Sequence, residues 1–315
     1  MQIFRELEEI PADFGPTVLS VGNFDGVHRG HRYVLGQMLK RAKELNAKSM
    51  VLTFDPHPIR IIRPHEAPPL LTPLSQKLKL LEATGLDSVL VLPFSRDLSM
   101  MPPFEFAEEI LSTALHATEI HEGFNFHFGH KKEGNVERLK EFGRKLGFDV
   151  IIYQAMKYRG HMLSSSDVRR LVQAGNMAGA RGLLGRPFSI VSTPGRGRGY
   201  GSKYTVPTIN LSRYEELVPK IGVYITQIKV NGETFDSVTN VGVRPTFGAE
   251  SFAIETHILD FHPIDLEPET PVELTFLKRL RDEIKFPDTE ALKAQIGKDV
   301  GKAVRYFRLF HRMGR

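Results

Sequence analysis

Thr17-Val18-Leu19-Ser20-Val21-Gly22-Asn23-Phe24-Asp25-Gly26-Val27-His28-Arg29-Gly30-His31 decides how this chain is to be folded. The apolar run over 17–21 reads as a buried strand, and residues 22–26 form a glycine-bounded turn. From residue 31 to 45 the apolar side chains Val34, Leu35, Met38, Leu39, Ala42 and Leu45 recur at the spacing of one helix face. Two imidazoles, His28 and His31, therefore stand in the first turn of a helix directly behind a strand end. A helix N-terminus offers unbonded N–H groups and a partial positive charge, which suit phosphate. Glycine lets a nucleotide come close to the backbone. The imidazoles are placed to donate hydrogen bonds to oxygens that gain charge in phosphoryl chemistry. The competing readings are a zinc pair and surface histidines capping a helix. Zinc wants a third protein ligand, and the chain has no cysteine to help.

At 315 residues the chain is long enough for two domains, each with its own core. A composition of 41% hydrophobic and 25% charged residues is that of an ordinary globular protein. No apolar run approaches the roughly 20 residues of a membrane span. Residues 1–10 lack the apolar segment of a secretory signal. Without cysteine there is neither a disulfide framework nor a thiolate nucleophile, and a cytoplasmic setting is expected. The net charge of +5 suits a protein that handles polyphosphates as well as one that binds nucleic acid. Basic residues gather only at Lys278-Arg279-Leu280-Arg281 and at the C-terminus, and neither forms a long block; solvated faces are the expectation there.

The expected fold class is α/β, with a Rossmann-like N-terminal domain over 1–186 and a small C-terminal β-barrel with a terminal helix over 187–315. Strands are predicted over 17–21, 49–54, 88–92, 118–124 and 149–154, with helices over 74–84, 104–115 and 136–146 between them. That alternation implies a mostly parallel sheet, whose ligands bind beyond the carboxyl ends of the strands. After Pro187 the texture changes to short alternating runs, over 188–192, 223–230, 233–238, 251–259 and 272–277. Asn231-Gly232 between two of them is the strongest short hairpin signal. A last helix over 289–309 is predicted to present Leu292, Ile296, Val300, Val304 and Phe307 on one side.

Gly22 to His31 follows Gly-x-Phe-Asp-Gly-x-His-x-Gly-His and resembles the HxGH signature of nucleotidyltransferases. The form is that of the bifunctional riboflavin kinase/FMN adenylyltransferase family, the bacterial FAD synthetases. HxGH alone is shared with class I aminoacyl-tRNA synthetases and does not choose a substrate. Further stretches carry the likeness. Ser164-Ser165-Ser166-Asp167-Val168-Arg169 resembles the family's Ile-Ser-Ser-Thr-x-Ile-Arg; as a bare sequence it is simply a capped helix start. Thr53-Phe54-Asp55-Pro56-His57-Pro58 and Gly123-Phe124-Asn125-Phe126-His127-Phe128-Gly129 match two more segments. The resemblance implies that His28 and His31 act on phosphate, that Gly22, Asn23, Phe24, Asp25, Gly26, Ser164, Ser165 and Ser166 line the ATP site, and that Arg169 neutralises the β- and γ-phosphates. Asn125 is expected at the flavin, and His57 either there or as a loop stiffener.

In the second half, Gly195-Arg196-Gly197-Arg198-Gly199-Tyr200-Gly201 fits neither a dinucleotide fingerprint nor a P-loop. A short RNA-binding segment is its rival reading, although such segments are longer and repetitive. Pro207-Thr208-Ile209-Asn210 resembles the Pro-Thr-Ala-Asn of riboflavin kinases, Asn240 to Phe247 their Asn-x-Gly-x-x-Pro-Thr-Phe, and Glu255 to Phe261 their Glu-x-His-x-x-x-Phe. By that likeness Gly195, Gly197, Gly199 and Gly201 cradle phosphate, Thr208 and Asn210 offer hard oxygens to Mg²⁺, Glu255 is the general base, and Arg281 assists flavin binding. The segment 201–206 stands where the family has Leu-Gly-Phe/Tyr and is about two residues longer, a change expected to touch kinase rate or cation preference more than identity. The implied chemistry is ATP-dependent phosphorylation of riboflavin to FMN, then adenylylation of FMN to FAD. The expected partners are these small molecules, with no membrane and no nucleic acid, in a monomer or weak homo-oligomer. Two alternatives stand beside it: an adenylyltransferase whose barrel only binds flavin, and a non-catalytic basic module for RNA or flavin.

Overall fold

Strands that are apolar at every position must be covered on both faces, and the first half of the chain obeys this rule. The computed structural model describes residues 1–195, 208–212, 214–246, 249–264 and 266–313, with side chains described for all of these but 243–246, 249–252 and 313. Two compact units, Met1–Ser165 and Ser166–Arg315, divide it.

In the first unit the strands of the main sheet are Gln2–Phe4 (β1), Thr17–Val21 (β2), Lys48–Asp55 (β3), Ser88–Pro93 (β4), Ala117–Gly123 (β5) and Asp149–Tyr153 (β6). They form a six-stranded sheet in the order β1-β4-β3-β2-β5-β6, parallel throughout. Alternate residues supply two separate cores. Leu19, Met50, Leu52 and Leu90 face a cluster with Phe106, Ile110 and Leu111. Val18, Val51, Val89 and Val91 face the opposite way, onto Leu35 and Met38 of helix Arg29–Glu44 (α1) and Leu78 and Leu81 of helix Leu74–Glu82 (α2). The helix expected over 104–115 is a short α-turn, Pro103–Glu105, running into a π-helix, Phe106–Ala114. Helix Val136–Leu146 (α3) starts where the Asn135 side chain accepts the Arg138 N–H, and stops at left-handed Gly147. Strand β1 escapes prediction because three residues carry no period. Arg41 ties α1 to the sheet, its Nε 3.0 Å from Oε1 and its Nη2 2.9 Å from Oε2 of buried Glu119.

The second unit opens with helices Ser165–Gln173 (α4, which crosses the division) and Met177–Leu184 (α5). Its strands are Phe188–Ser192 (β7), Thr208–Asn210 (β8), Gly222–Val230 (β9), Glu233–Thr246 (β10), Ala249–Ile258 (β11) and Val272–Arg281 (β12). Helix α5 lies against β7 and β12. These six strands pair antiparallel in the order β7-β12-β9-β10-β11-β8, and an isolated bridge from Pro194 to Leu211 joins the two edges, so the sheet curls into a barrel. The Asn231-Gly232 turn has φ of 49° and 85°, the left-handed pair that a type I′ hairpin needs. Buried Thr226, Ser237, Thr239 and Thr256 satisfy one another through hydroxyl hydrogen bonds of 2.7–2.9 Å.

Helix Thr289–Met313 (α6) departs from the expected stripe. Ala303 and Phe307 are buried, with Val300, Tyr306 and Phe310 packed beside them, whereas Leu292, Ile296 and Val304 are exposed. Leu292 and Ile296 share the buried direction but belong to turns N-terminal to the part that meets the sheet, and Val304 is rotated off it. Among the described residues no helix is long and apolar enough to cross a membrane.

Candidate active site

The turn after β2 is held from behind at almost every residue. Gly22 N–H donates to Leu52 O (2.9 Å), and Gly26 N–H to Thr72 Oγ1 (3.1 Å). The buried Asp25 carboxylate accepts from Leu71 N–H (2.9 Å) and Thr72 N–H (3.1 Å), so this side chain braces the loop and faces inward. Phe24 is also turned in, into the core and against the His31 ring at 5.1 Å. Phe24 (φ 48°) and Val27 (φ 38°) occupy left-handed backbone that non-glycine residues avoid. Such conformations persist only where surrounding contacts over-determine them. Asn23 alone of the five lies exposed at the tip.

His28 is the N-cap of α1, and its Nδ1 accepts the His31 backbone N–H at 3.3 Å. In the neutral ring that acceptor role assigns the proton to Nε2. The two imidazoles stack, with centroids 3.6 Å apart and planes 14° apart. Burial, then His28, then Lys77 hold the His31 pKa well below the ordinary histidine value, so the ring is neutral at neutral pH. Its Nδ1 is buried and has no hydrogen-bond partner among the described residues. An orphaned buried ring nitrogen at a helix N-terminus asks for a ligand. Gly30 between them leaves the ring its place: a Cβ there would lie 3.0 Å from His28 Cε1 and 3.3 Å from Leu163 Cβ, so a neighbour would have to shift.

Two buried ionisable groups beside this loop were not foreseen. Lys77 of α2 donates to Asn23 O (3.2 Å) and Thr53 Oγ1 (3.0 Å). Burial pulls its ammonium down to about 8, against Asp25 and Asp55, which favour the charged form. Glu122 of β5 accepts the Val21 N–H at 2.5 Å. Burial pushes its carboxyl well above the ordinary value, opposed by the Val21 N–H and the Ser20 hydroxyl.

His57 and Asn125 follow strands at the same carboxyl rim, where β3, β2 and β5 are neighbours. His57, just after β3, caps the short helix Pro58–Ile62, its Nδ1 accepting the Ile59 N–H at 3.3 Å. Asn125, just after β5, is exposed. Ser165 spends its hydroxyl on Asp25 O, at 2.8 Å, tying the start of α4 to the loop. Ser164 precedes α4. Ser166 and half-buried Arg169 lie on that helix within the second unit.

In the barrel, strand register assembles the other predicted group. Asn210 of β8 pairs with Glu255 of β11, which pairs on its other side with Asn240 of β10; Thr208 pairs with His257. Ile209, Thr256 and Thr239, one step along, point into the buried interior, so these polar side chains share the opposite, half-buried face. Burial lowers the His257 pKa. The donors on this face are hard oxygens, the set that Mg²⁺ accepts. Among the described residues no three His, Asp or Glu side chains gather to hold a metal by themselves. Gly195 N–H donates to Asn210 O (2.7 Å), and a Cβ on it would stand 2.6 Å from Leu211 O, so close strand approach already demands this glycine. Gly197, Gly199, Gly201 and the lengthened segment 201–206 lie outside the described residues. Arg281 is engaged by the fold: its Nε donates to buried Asp299 of α6 (2.8 Å) and its Nη1 to Asp282 O (2.9 Å).

Two family models match in tandem, FAD synthetase over residues 10–167 and riboflavin kinase over residues 184–307. Among curated proteins, the bifunctional riboflavin kinase/FMN adenylyltransferase of Pseudomonas fluorescens is 35% identical, covering 96% of this chain and 97% of its own. The protein so named from Escherichia coli K12 is 34% identical over 93% of each. A solved structure described as a macrolide-efflux protein from Streptococcus pneumoniae superposes with a TM-score of 0.83 at 26% identity, over 95% of this chain and 97% of that one. With both family models matched in order and identity above one third across nearly its whole length, the chain belongs to the bifunctional riboflavin kinase/FMN adenylyltransferase family.

Proposed function

We propose that the stacked His28–His31 pair carries adenylyl transfer and that the β8–β11–β10 face carries the kinase step. As a member of its family the protein phosphorylates riboflavin to FMN and adenylylates FMN to FAD, each with ATP. The observation that carries the first assignment is the neutral His31 ring at the mouth of α1, with a buried Nδ1 that has no partner among the described residues. A phosphate oxygen of FMN attacks the α-phosphorus of ATP, the bond to the β-phosphate oxygen breaks, and pyrophosphate leaves. No protein nucleophile is required, and positioning with charge stabilisation supplies the catalysis. His28 and His31 donate N–H groups to the crowded phosphate, and Arg169 neutralises the leaving pyrophosphate; Arg169 enters on its place in the motif. Asn125 and His57 are the flavin-side candidates of this half.

In the kinase step Glu255 takes the proton from the ribityl hydroxyl of riboflavin while that oxygen attacks the γ-phosphorus and ADP leaves. Register supports this reading by setting Glu255 between Asn210 and Asn240 on a half-buried face. Thr208 and Asn210 would hold Mg²⁺, which when bound supplies charge neutralisation on the polyphosphate. By activity, residues 1–186 are assigned to adenylylation and 187–315 to phosphorylation, in a cytoplasmic monomer or weak homo-oligomer that engages no nucleic acid. Mass analysis of products from riboflavin, ATP and Mg²⁺ with the whole protein tests both steps at once. FMN followed by FAD is expected. FAD formed from added FMN but no FMN from riboflavin would leave only the adenylyltransferase.

A further inference from the structure

We infer that Lys77 is a positioning residue of the adenylyl-transfer site, its buried ammonium fixing the Asn23–Phe24 peptide so that the loop presents an N–H to the ATP triphosphate. This rests on the assignment of the 22–26 loop to ATP.

A lysine on a helix interior ordinarily reaches solvent; Lys77 is only 7% exposed. Burying an ammonium is costly unless its protons are satisfied, and Lys77 directs two of its three to Asn23 O at 3.2 Å and Thr53 Oγ1 at 3.0 Å. A core-facing methionine or leucine would fill the space at less cost to the fold. What the lysine adds is orientation. A trans peptide sets its C=O and N–H on opposite sides. With the Asn23 carbonyl drawn in toward Lys77, the Phe24 N–H is turned to the far side of the loop. Among the described residues that N–H makes no hydrogen bond, and neither do the Asn23 backbone N–H and side chain.

The charges around Lys77 come from three elements. Asp25 on the loop and Asp55 at the end of β3 favour its charged form, and His31 on α1 is kept neutral in part by the Lys77 charge. Asp25 is already committed to Leu71 and Thr72, so its charge is shared with backbone donors from the segment leading into α2. Residues 71–77 therefore form one strap behind the loop. It braces Asp25 and Gly26 at one end and Asn23 at the other, while Phe24 and Val27 are kept left-handed between them. A polyanion on the outer side meets a pre-aimed N–H backed by positive charge, the arrangement of a backbone anion nest.

Lys77→Met in the full-length protein tests this, with adenylylation of FMN and phosphorylation of riboflavin measured on the same preparation. The expected result is a KM for ATP in adenylylation raised about tenfold or more with kcat changed far less, the split that marks lost substrate binding. Riboflavin phosphorylation should stay at the parental rate. The parental kcat/KM for ATP should also fall as the ammonium deprotonates, near pH 8, and Lys77→Met should lack that limb. Thr53→Val is the second variant. It keeps the charge and removes one acceptor, which favours the neutral amine, so the alkaline limb should move to lower pH. A parental KM for ATP and parental pH profile in Lys77→Met would overturn the inference. If Lys77→Met does not fold, an unmoved limb in Thr53→Val overturns it. His31→Ala run alongside separates the two levels: lost adenylylation there with an unaffected Lys77→Met rejects only the role of Lys77. Retained adenylylation in both rejects the loop as the ATP site.

Discussion

The imidazole of His28 lies flat against that of His31, centroids 3.6 Å apart, while its Nδ1 accepts the His31 backbone N–H. Two stacked rings this close disfavour a doubly charged pair, and burial depresses His31 further. In the proposed adenylyl transfer the pair offers ring N–H groups that are fixed before substrate arrives. Replacing one pre-aimed donor of this kind typically costs about 10²–10³ in rate. His31→Ala is expected to lower FAD formation from FMN and ATP by about that factor. FMN formation from riboflavin, which uses the barrel, should continue at the parental rate. Separate assays of the two products on one preparation provide the check.

Gly30→Ala should separate stability from activity. In a helix, alanine is favoured over glycine by about 1 kcal/mol, which offsets part of the strain of a methyl group 3.0–3.3 Å from His28 and Leu163. The atom that must give way belongs to the His28 imidazole. A thermal midpoint within a few degrees of the parent, with adenylylation reduced by about tenfold or more, is the expected pair of results. Parental adenylylation would show that His28 tolerates displacement.

The parallel core and hairpin turn were legible because their signals are local. Val18 and Leu19 go to opposite cores by strand alternation, and Asn231-Gly232 carries its turn type in its composition. The HxGH spacing likewise put both imidazoles on one helix end. Lys77 left no such trace, since within Leu74-Ser75-Gln76-Lys77-Leu78 it looks like the wet side of an amphipathic helix. Its partners Asn23 and Thr53 come from other strand ends and meet it only in the folded sheet. The motif gives Asp25 a place in the loop, but that its carboxylate faces inward to accept the Leu71 and Thr72 N–H groups is a direction no spacing encodes. The α6 stripe failed differently: periodicity gives the side that is apolar but not the length over which a partner covers it.

Glu122→Gln is expected to stabilise the protein near neutral pH. Burial raises the folded-state pKa of this carboxyl above its unfolded value. Such a group contributes fully below the unfolded pKa of about 4.3, and that contribution is lost as pH rises through the folded value. Glutamine imitates the protonated acid and keeps an oxygen for the Val21 N–H. The thermal midpoint of Glu122→Gln should exceed the parent's at pH 7, with the gap closing as the pH is lowered to about 4. A gap that widens on acidification would mean the carboxylate is ionised and held by its donors. His31 acts in the opposite sense: its lowered pKa contributes stability that is lost below its unfolded value of about 6.5.

Glu255→Gln addresses the barrel. Its neighbours Asn210 and Asn240 are fixed by register on both sides, so the amide should be accommodated without moving either strand. A general base of this type contributes about 10²–10⁴ in rate. Riboflavin phosphorylation should therefore fall by about that range, in kcat rather than in KM, because glutamine keeps the hydrogen-bonding shape but accepts no proton. Adenylylation of supplied FMN should be untouched. Kinase activity retained in Glu255→Gln but lost in a Thr208→Ala, Asn210→Ala pair would move the proton acceptor away from β11 and leave the β8 oxygens as the essential feature. That outcome is the less expected one, since Glu255 is the carboxylate that register sets beside them.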